Sequence, residues 1–213
     1  MALSRDGINW ESVPDTSFPT KFDFHDVVAS GSGFLAAGER GVTVGGNDTI
    51  RAVVLSSGDG RTWVRRKLPT SGLRPYPGGS AGRIVAGPRG LIVVGSEDGV
   101  PGRELWWSKV AGKAWSRLKD YPPLGTWNGD GEGTGLIPDG TLAGDGERLI
   151  AYRGGATPKG WTSSDGRSWQ SLHISGAGPT NAGDWPLQAL ILTPMGVLAT
   201  SDDGTTWFGT PRT

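Results

Sequence analysis

Short apolar runs recur along the whole chain, and turns rich in Gly, Asp and Ser separate them. The runs Arg83–Ala86 and Gly90–Gly95, for example, are joined by Gly87-Pro88-Arg89, which is typical of a tight turn between two strands. The 37 Gly and 15 Pro residues interrupt the sequence so often that helices of ordinary length have little room. The pattern therefore predicts an all-β fold of short strands.

Aligned by their turns, the runs form repeating units of four strands, which we name A to D in chain order. Strands A and B are predicted as hairpins at His25–Ser30 with Gly33–Gly38, Arg83–Ala86 with Gly90–Gly95, Thr141–Gly144 with Arg148–Arg153, and Ala189–Thr193 with Gly196–Ser201. Strand C is predicted at Ala52–Ser57, Glu104–Ser108 and Gly160–Ser163. Strand D is predicted at Trp10–Val13, Trp63–Leu68, Trp115–Leu118 and Trp169–Ile174.

A motif of Ser or Thr, an Asp-Gly turn and a Trp recurs five times; the first four copies mark the passage from strand C to strand D, whereas the fifth lies in a B–C loop. Its copies are Ser4–Trp10, Ser57–Trp63, a weaker one at Ser108–Trp115, Ser163–Trp169 and Ser201–Trp207. The first four Trp residues are 53, 52 and 54 residues apart. A fixed period of this length is typical of the four-stranded blade of a β-propeller.

The motif Ser-x-Asp-Gly-x-x-Trp resembles the Asp-box, or BNR repeat, of sialidases and other propeller proteins, although it has one residue fewer between Asp and Gly. The resemblance implies a structural motif in which Asp accepts turn amides, Gly adopts a left-handed conformation and Trp fills the space between sheets. Sialidases also carry an arginine triad, a Phe/Tyr-Arg-Ile-Pro segment and a Tyr nucleophile. Arg83-Ile84-Val85 departs from that segment, and the tyrosines number only three. We therefore expect the sialidase-like architecture without sialidase activity.

We expect one domain over residues 1–213, a β-propeller of about four four-stranded blades. Three strands from the C-terminal end, the last at Thr206–Thr210, and Trp10–Val13 from the N-terminal end would complete the fourth blade and close the ring. Two alternatives stay open at this point. The ring could have five blades with some strands missing, or the chain could form half of a larger ring completed by a second chain.

Composition excludes several classes of function. Lys plus Arg equal Asp plus Glu, at 21 each, and Arg65–Lys67 is the only tight basic cluster, so no nucleic-acid partner is expected. No apolar stretch approaches the length of a membrane helix, and the absence of Cys excludes disulfides and thiolate metal sites. The first motif begins too early to leave room for a signal peptide. We expect a monomer that is either cytoplasmic or, as we prefer, secreted with its leader removed.

The D–A and B–C loops of a propeller share one face, and here they are long. They span residues 14–24, 69–82, 119–140 and 175–188, together with the B–C loop Glu39–Arg51. Long loops that converge on one face are typical of binding sites. Trp106 and Trp161, by contrast, are predicted to lie in the core between sheets. The leading hypothesis is a non-catalytic module that binds a carbohydrate or other small polar ligand through Tyr76, Trp127, Asp139, Thr141, Trp185 and Gln188.

The first residues of the A strands are predicted to surround the mouth of the central channel. There His25 with Asp26 could act as a base and Arg83 could bind an anion, which would make the protein a lyase or hydrolase. The structural alternative is an Asp26–Arg83 ion pair across the channel, with His25 at the end of a strand. A third hypothesis, a protein-interaction scaffold, would apply if no small ligand binds.

Residues 128–139 contain oxygen-bearing side chains at EF-hand-like spacing. Asn128, Asp130, Glu132 and Asp139 surround Gly133 in a pattern that suits calcium, although no flanking helices are predicted. We keep two interpretations, a calcium site and a Gly-rich loop without metal. No other cofactor is expected, and two His without Cys do not favour zinc.

Overall fold

Strands make up all the regular structure in the part of the chain that can be described. The computed structural model describes residues 2–4, 6–14, 18, 22–31, 33–72, 78–97, 104–109, 112–118, 141–153, 159–173, 187–193, 195–201 and 204–210. These residues contain 17 strands and no helix. It follows that none of them belongs to a helix long and apolar enough to cross a membrane.

The first sheet is the longest and contains four antiparallel strands in the order of the chain. Its strands are β3 (Phe22–Ser30), β4 (Gly33–Val44), β5 (Asn47–Ser57) and β6 (Val64–Arg66). A short hairpin precedes it, formed by β1 (Ala2–Leu3) and β2 (Glu11–Ser12).

The second and third sheets repeat the four-stranded order, and the last sheet has three strands in the described residues. The second sheet contains β7 (Gly79–Gly87), β8 (Gly90–Glu97), β9 (Glu104–Ser108) and β10 (Ser116–Arg117). The third contains β11 (Thr141–Gly144), β12 (Leu149–Arg153), β13 (Lys159–Ser163) and β14 (Gln170–Leu172). The last contains β15 (Leu187–Thr193), β16 (Gly196–Ser201) and β17 (Thr206–Gly209).

Each sheet therefore has the predicted order A, B, C, D, with the fourth lacking strand D among the described residues. The A strands β3, β7, β11 and β15 contact one another in succession, so they face a common centre. This arrangement confirms the prediction of an all-β, propeller-like fold built from about four sheets.

Apolar side chains fill the spaces between successive sheets. Leu35 and Val54 of the first sheet pack with Val93 and Trp106 of the second. A second cluster joins the second sheet to the third, and Trp161 packs against it. A third cluster joins the third sheet to the last. The expected positions of Trp106 and Trp161 in the inter-sheet core are confirmed.

The segment Glu39–Arg51, which the sequence predicts as a long B–C loop, is instead a regular extension of two strands. Strands β4 and β5 stay paired from Phe34↔Ser57 to Val44↔Asn47. The reversal falls on Gly45 and Gly46, at φ values of 58° and 85°, which a two-residue hairpin turn requires and side chains disfavour. The loop prediction was wrong because backbone pairing continues past the buried part of the sheet.

The N-terminal strand also pairs differently from the expectation. Glu11–Ser12 pairs with Ala2–Leu3, whereas closure of the ring predicts pairing with the last sheet. The hairpin lies against the first sheet, where the Leu3 side chain packs over Gly60 and the Glu11 carboxylate forms an ion pair with Arg61. These contacts hold the N-terminal hairpin against the C–D turn of the first sheet.

Candidate functional site

The Asp-Gly motifs form hydrogen-bonded turns in which the polar side chains are occupied. In the second copy, Ser57 Oγ donates to Asp59 Oδ1 over 3.0 Å and accepts from the Gly60 amide over 2.8 Å. Asp59 Oδ1 also accepts from the amides of Arg61 and Thr62, each at 2.8 Å. The turns at Asp6 and Asp165 repeat these bonds. The motif is therefore a device for building turns.

The same hydrogen bonds act on the acidity of the carboxyl groups. Backbone amides stabilise the ionised form, so they lower the pKa of Asp59 and, in the fourth copy, lower the pKa of Asp165 to about 2. The pKa of Asp6 is lowered for the same reason, first by the amides of Asn9 and Ile8. The carboxylates at these turns are held ionised for structure and are poor proton donors.

The third copy of the motif lacks the Asp, so its serine lacks the carboxylate that the serines of the first, second and fourth copies bond. Ser108 is fully buried, and its Oγ has no hydrogen-bond partner among the described residues. Gly112 in this copy nevertheless keeps the left-handed conformation of the motif, at φ 71°. The third copy therefore keeps the turn but lacks the hydrogen bonds between the serine, the aspartate and the turn amides.

At the channel mouth, three of the four A strands carry a β-bulge at the same aligned position. Pairing shifts register between Phe24 and Asp26, between Ala81 and Arg83, and between Leu187 and Ala189. The extra residues are His25, Gly82 and Gln188. The sequence alignment places these three residues in one ring, and a bulge re-aims the residues beside it, as is common near functional sites.

His25 lies against the second sheet. Its Nδ1 is 3.2 Å from the carbonyl oxygen of Ala81, which can only accept, and 3.2 Å from Ser80 Oγ. Its Nε2 lies 3.9 Å from Glu39 Oε2, an ion pair when the imidazole is protonated. The histidine is thus oriented by one sheet and faces a carboxylate of another strand.

Asp26 and Arg83 do not form the direct ion pair that the structural alternative predicts, because both bond to backbone groups. Asp26 accepts the amide of Val27 on Oδ1 and that of Ile84 on Oδ2, both at 2.8 Å. Arg83 donates from Nη2 to the carbonyl oxygen of Leu190 over 3.2 Å. Burial lowers the pKa of Arg83, and the nearby charge of Asp26 partly opposes this.

The remaining predicted site residues fall largely outside the described part of the chain. Tyr76, Trp127, Asp139, Trp185 and all of the calcium loop with Asn128, Asp130 and Glu132 lie outside it. Thr141 and Gln188 are placed in β11 and β15, but their side chains are not described. Among the described residues, no group of three or more His, Asp and Glu side chains could hold a metal ion. These predictions stay predictions.

Two features of the mouth escaped the sequence analysis. Ser80 and Glu39 contact His25, yet neither is near it in sequence. Ser80 lies near the start of β7 and Glu39 lies in the middle of β4, so no local pattern in the sequence links either residue to His25. Tyr152 is buried in the core, and burial raises its pKa to about 12, which makes it a poor nucleophile.

Comparisons with known proteins show likeness in structure only. The sequence matches no family model and no curated protein sequence. One solved structure comes from the GH130 family of mannoside phosphorylases, described as containing glycoside hydrolases that target beta-1,2 mannosidic linkages in Candida mannan. It is 16% identical with a TM-score of 0.48, over 84% of this chain and 60% of that chain. A glycosyl hydrolase from Bacteroides ovatus is 16% identical with a TM-score of 0.47 over the same shares. The chain thus spans about 60% of the length of these proteins.

Proposed function

We propose that the protein is a non-catalytic binding module, with a carbohydrate or other small polar ligand on the face of the long D–A loops. Tyr76, Trp127 and Trp185 would stack on the ligand, and Asp139, Thr141 and Gln188 would hydrogen-bond it. The resemblance of the Asp-Gly turns to the Asp-box remains part of this proposal, as does a single domain over residues 1–213.

The observation that supports binding over catalysis is that the charged side chains at the channel mouth are hydrogen-bonded to backbone groups. Both carboxylate oxygens of Asp26 accept backbone amides, so the carboxylate serves to join the first two sheets. The guanidinium of Arg83 is bonded to the backbone of the last sheet. Each of these two charged groups therefore has a structural role in joining sheets.

The second candidate function is a lyase or hydrolase centred on His25, Asp26 and Arg83. The observation that favours it is the distance of 3.9 Å between His25 Nε2 and Glu39 Oε2, which places a carboxylate next to the imidazole. In that case His25 would transfer the proton and Glu39 would support it.

Measurements of ligand binding and of turnover on the same variants distinguish the two functions. A glycan array and a thermal-shift screen of metabolites identify a ligand of the wild-type protein. Trp127→Ala and Trp185→Ala should each weaken its binding about tenfold, which corresponds to the loss of one good stacking contact. Met195→Ala is the matched control, because Met195 is exposed at an A–B turn on the opposite face.

His25→Ala should leave that binding within about twofold of wild type if the protein is a binding module. Conversion of the ligand by the wild-type protein, abolished in His25→Ala, would establish the enzyme instead. Full binding by both Trp variants would overturn the proposed site. A wild-type protein that binds no small ligand would favour the protein-interaction scaffold.

A further inference from the structure

A wide cleft lies between the N-terminal hairpin and the C–D turn of the first sheet. Its volume is about 920 Å³, and residues lining it include Asp6, Asn9, Trp10, Phe34, Asp59 and Arg61. A volume in this range accommodates a ligand larger than a single sugar ring.

Trp10 distinguishes this cleft from the other motif turns. The equivalent Trp63 is 8% exposed, and its Nε1 donates to the Gly60 carbonyl oxygen over 3.1 Å. Trp10 occupies the same place in its motif but is 64% exposed. An indole that is buried in one copy of a motif and open in another has lost its packing role at the second site. Its face is available to a ligand.

The polar groups around Trp10 suit hydroxyl groups. Asp59 makes its turn bonds through Oδ1, so Oδ2 is left as an acceptor within the described residues. Asn9 donates to Asp6 Oδ2 through Nδ2, and its own carbonyl oxygen can accept. Arg61 and Glu11 form an ion pair at the edge of the cleft. Carboxylate and amide acceptors beside an aromatic face are complementary to sugar hydroxyl and C–H groups.

The charge of the cleft restricts the class of sugar. Among the described residues that line the cleft, Asp6, Glu11 and Asp59 contribute three carboxylates and Arg61 contributes one guanidinium. Hydrogen bonds in the turns hold the pKa of Asp6 and of Asp59 low, so both stay ionised near neutral pH. Such a cleft repels uronic acids and other anionic glycans.

We infer that this cleft is a second binding site, for a neutral oligosaccharide that stacks on Trp10. The site goes beyond the proposed function and does not depend on the long-loop face. Its ligand contacts the aromatic face of Trp10, and the acceptors of Asn9 and Asp59 bind the hydroxyl groups.

The test uses neutral trisaccharides of glucose, mannose and N-acetylglucosamine as probes, with a galacturonic acid trisaccharide as the anionic comparison. Titration calorimetry should detect at least one neutral trisaccharide at millimolar concentration and no anionic one. Trp10→Ala should weaken binding at least about tenfold, and Trp10→Phe should restore most of it. Ile8→Ala is the matched control, because Ile8 is 80% exposed in the same turn and does not line the cleft.

A second measurement covers the case in which Trp10→Ala disturbs the fold. In protein labelled with 5-fluorotryptophan, the ¹⁹F resonance missing from Trp10→Phe belongs to Trp10, and it should shift when the trisaccharide is added. A resonance that does not move, unchanged affinity in Trp10→Ala, or no binding of any neutral trisaccharide would overturn the inference.

The two sites fail independently. Unchanged trisaccharide affinity in Trp10→Ala would overturn the cleft whatever the Trp127 and Trp185 variants show. Unchanged ligand binding in those two variants would overturn the long-loop site whatever Trp10→Ala shows.

Discussion

The Nη2 atom of Arg83 donates a hydrogen bond to the carbonyl oxygen of Leu190 over 3.2 Å, so a side chain of the second sheet is bonded to the backbone of the last. Leu190 is buried, and its carbonyl would lose this partner if the guanidinium were removed. The bond therefore ties non-adjacent sheets across the channel.

Replacement of Arg83 by Met should destabilise the protein by about 2 kcal/mol, the usual cost of a hydrogen bond to a charged group in a buried setting. For a chain of this size that lowers Tm by about 6 °C, measured by differential scanning fluorimetry. Arg148→Met is the matched control. Arg148 also bonds a carbonyl of the last sheet, that of Thr193, and its side chain is 32% exposed, so the effect should be below about 1 kcal/mol. Equal Tm changes in the two variants would contradict the cross-channel role.

The motif serines offer a second comparison. Ser57→Ala removes a hydroxyl that bonds Asp59 and the Gly60 amide, and it should cost about 1 kcal/mol. Ser108→Ala removes a buried hydroxyl that bonds nothing among the described residues, and it should be neutral or stabilising. Urea unfolding of both variants measures the difference. A larger loss in Ser108→Ala than in Ser57→Ala would show that Ser108 has a partner after all.

Acid should destabilise the protein through the motif carboxylates. Their folded pKa values lie below the unfolded value near 3.8, so their stabilisation is complete above that pH and is lost as pH falls through the folded pKa. For Asp165 the loss extends from about pH 4 to about pH 2. Tm measured from pH 7 downward should change little above pH 5 and fall below pH 4.

The variant Asp165→Asn should show a smaller fall of Tm below pH 4 than the wild type, since the asparagine has no charge to lose. Glu147→Gln is the matched control, because Glu147 enters its turn through its backbone amide. If Tm falls equally steeply below pH 4 in Asp165→Asn and in the wild type, the Asp165 carboxylate is not the cause of the acid destabilisation.

Calcium binding by residues 128–139 stays a prediction from the sequence. If Asn128, Asp130, Glu132 and Asp139 bind the ion, millimolar calcium should raise Tm by mass action and EDTA should reverse the rise. Asp130→Asn should reduce the shift, and Asp145→Asn, in an unrelated turn, should keep it. A melting curve that calcium does not move would leave the loop without a metal.

The sequence predicts the core strands well, but it predicts poorly where strands extend beyond the core and which residues of different sheets come into contact. The A–B hairpins at Arg83–Gly95 and Thr141–Arg153 were foreseen because apolar alternation and turn residues are local signals. The sequence does not predict the extension of β4 and β5 past Glu39, because strands that leave the core lose the alternation of apolar and polar residues that identifies them.

The mouth shows the same limit. The alignment places His25 and Arg83 at the channel mouth, but their partners, Ser80 and the Leu190 carbonyl, depend on how the sheets pack together. No periodicity in the sequence encodes that geometry. Trp10 is a similar case, since the motif predicts a buried indole and the hairpin leaves it open.

The bulges at His25, Gly82 and Gln188 have a consequence for how such a protein can change over generations. A bulged residue is excluded from the alternation that commits its neighbours to the core, so mutation there leaves the inter-sheet packing intact. Selection can thus vary the residue at these positions, from histidine to glycine to glutamine, while the sheets beneath stay the same. The architecture separates the residues that diversify from the residues that keep the chain folded.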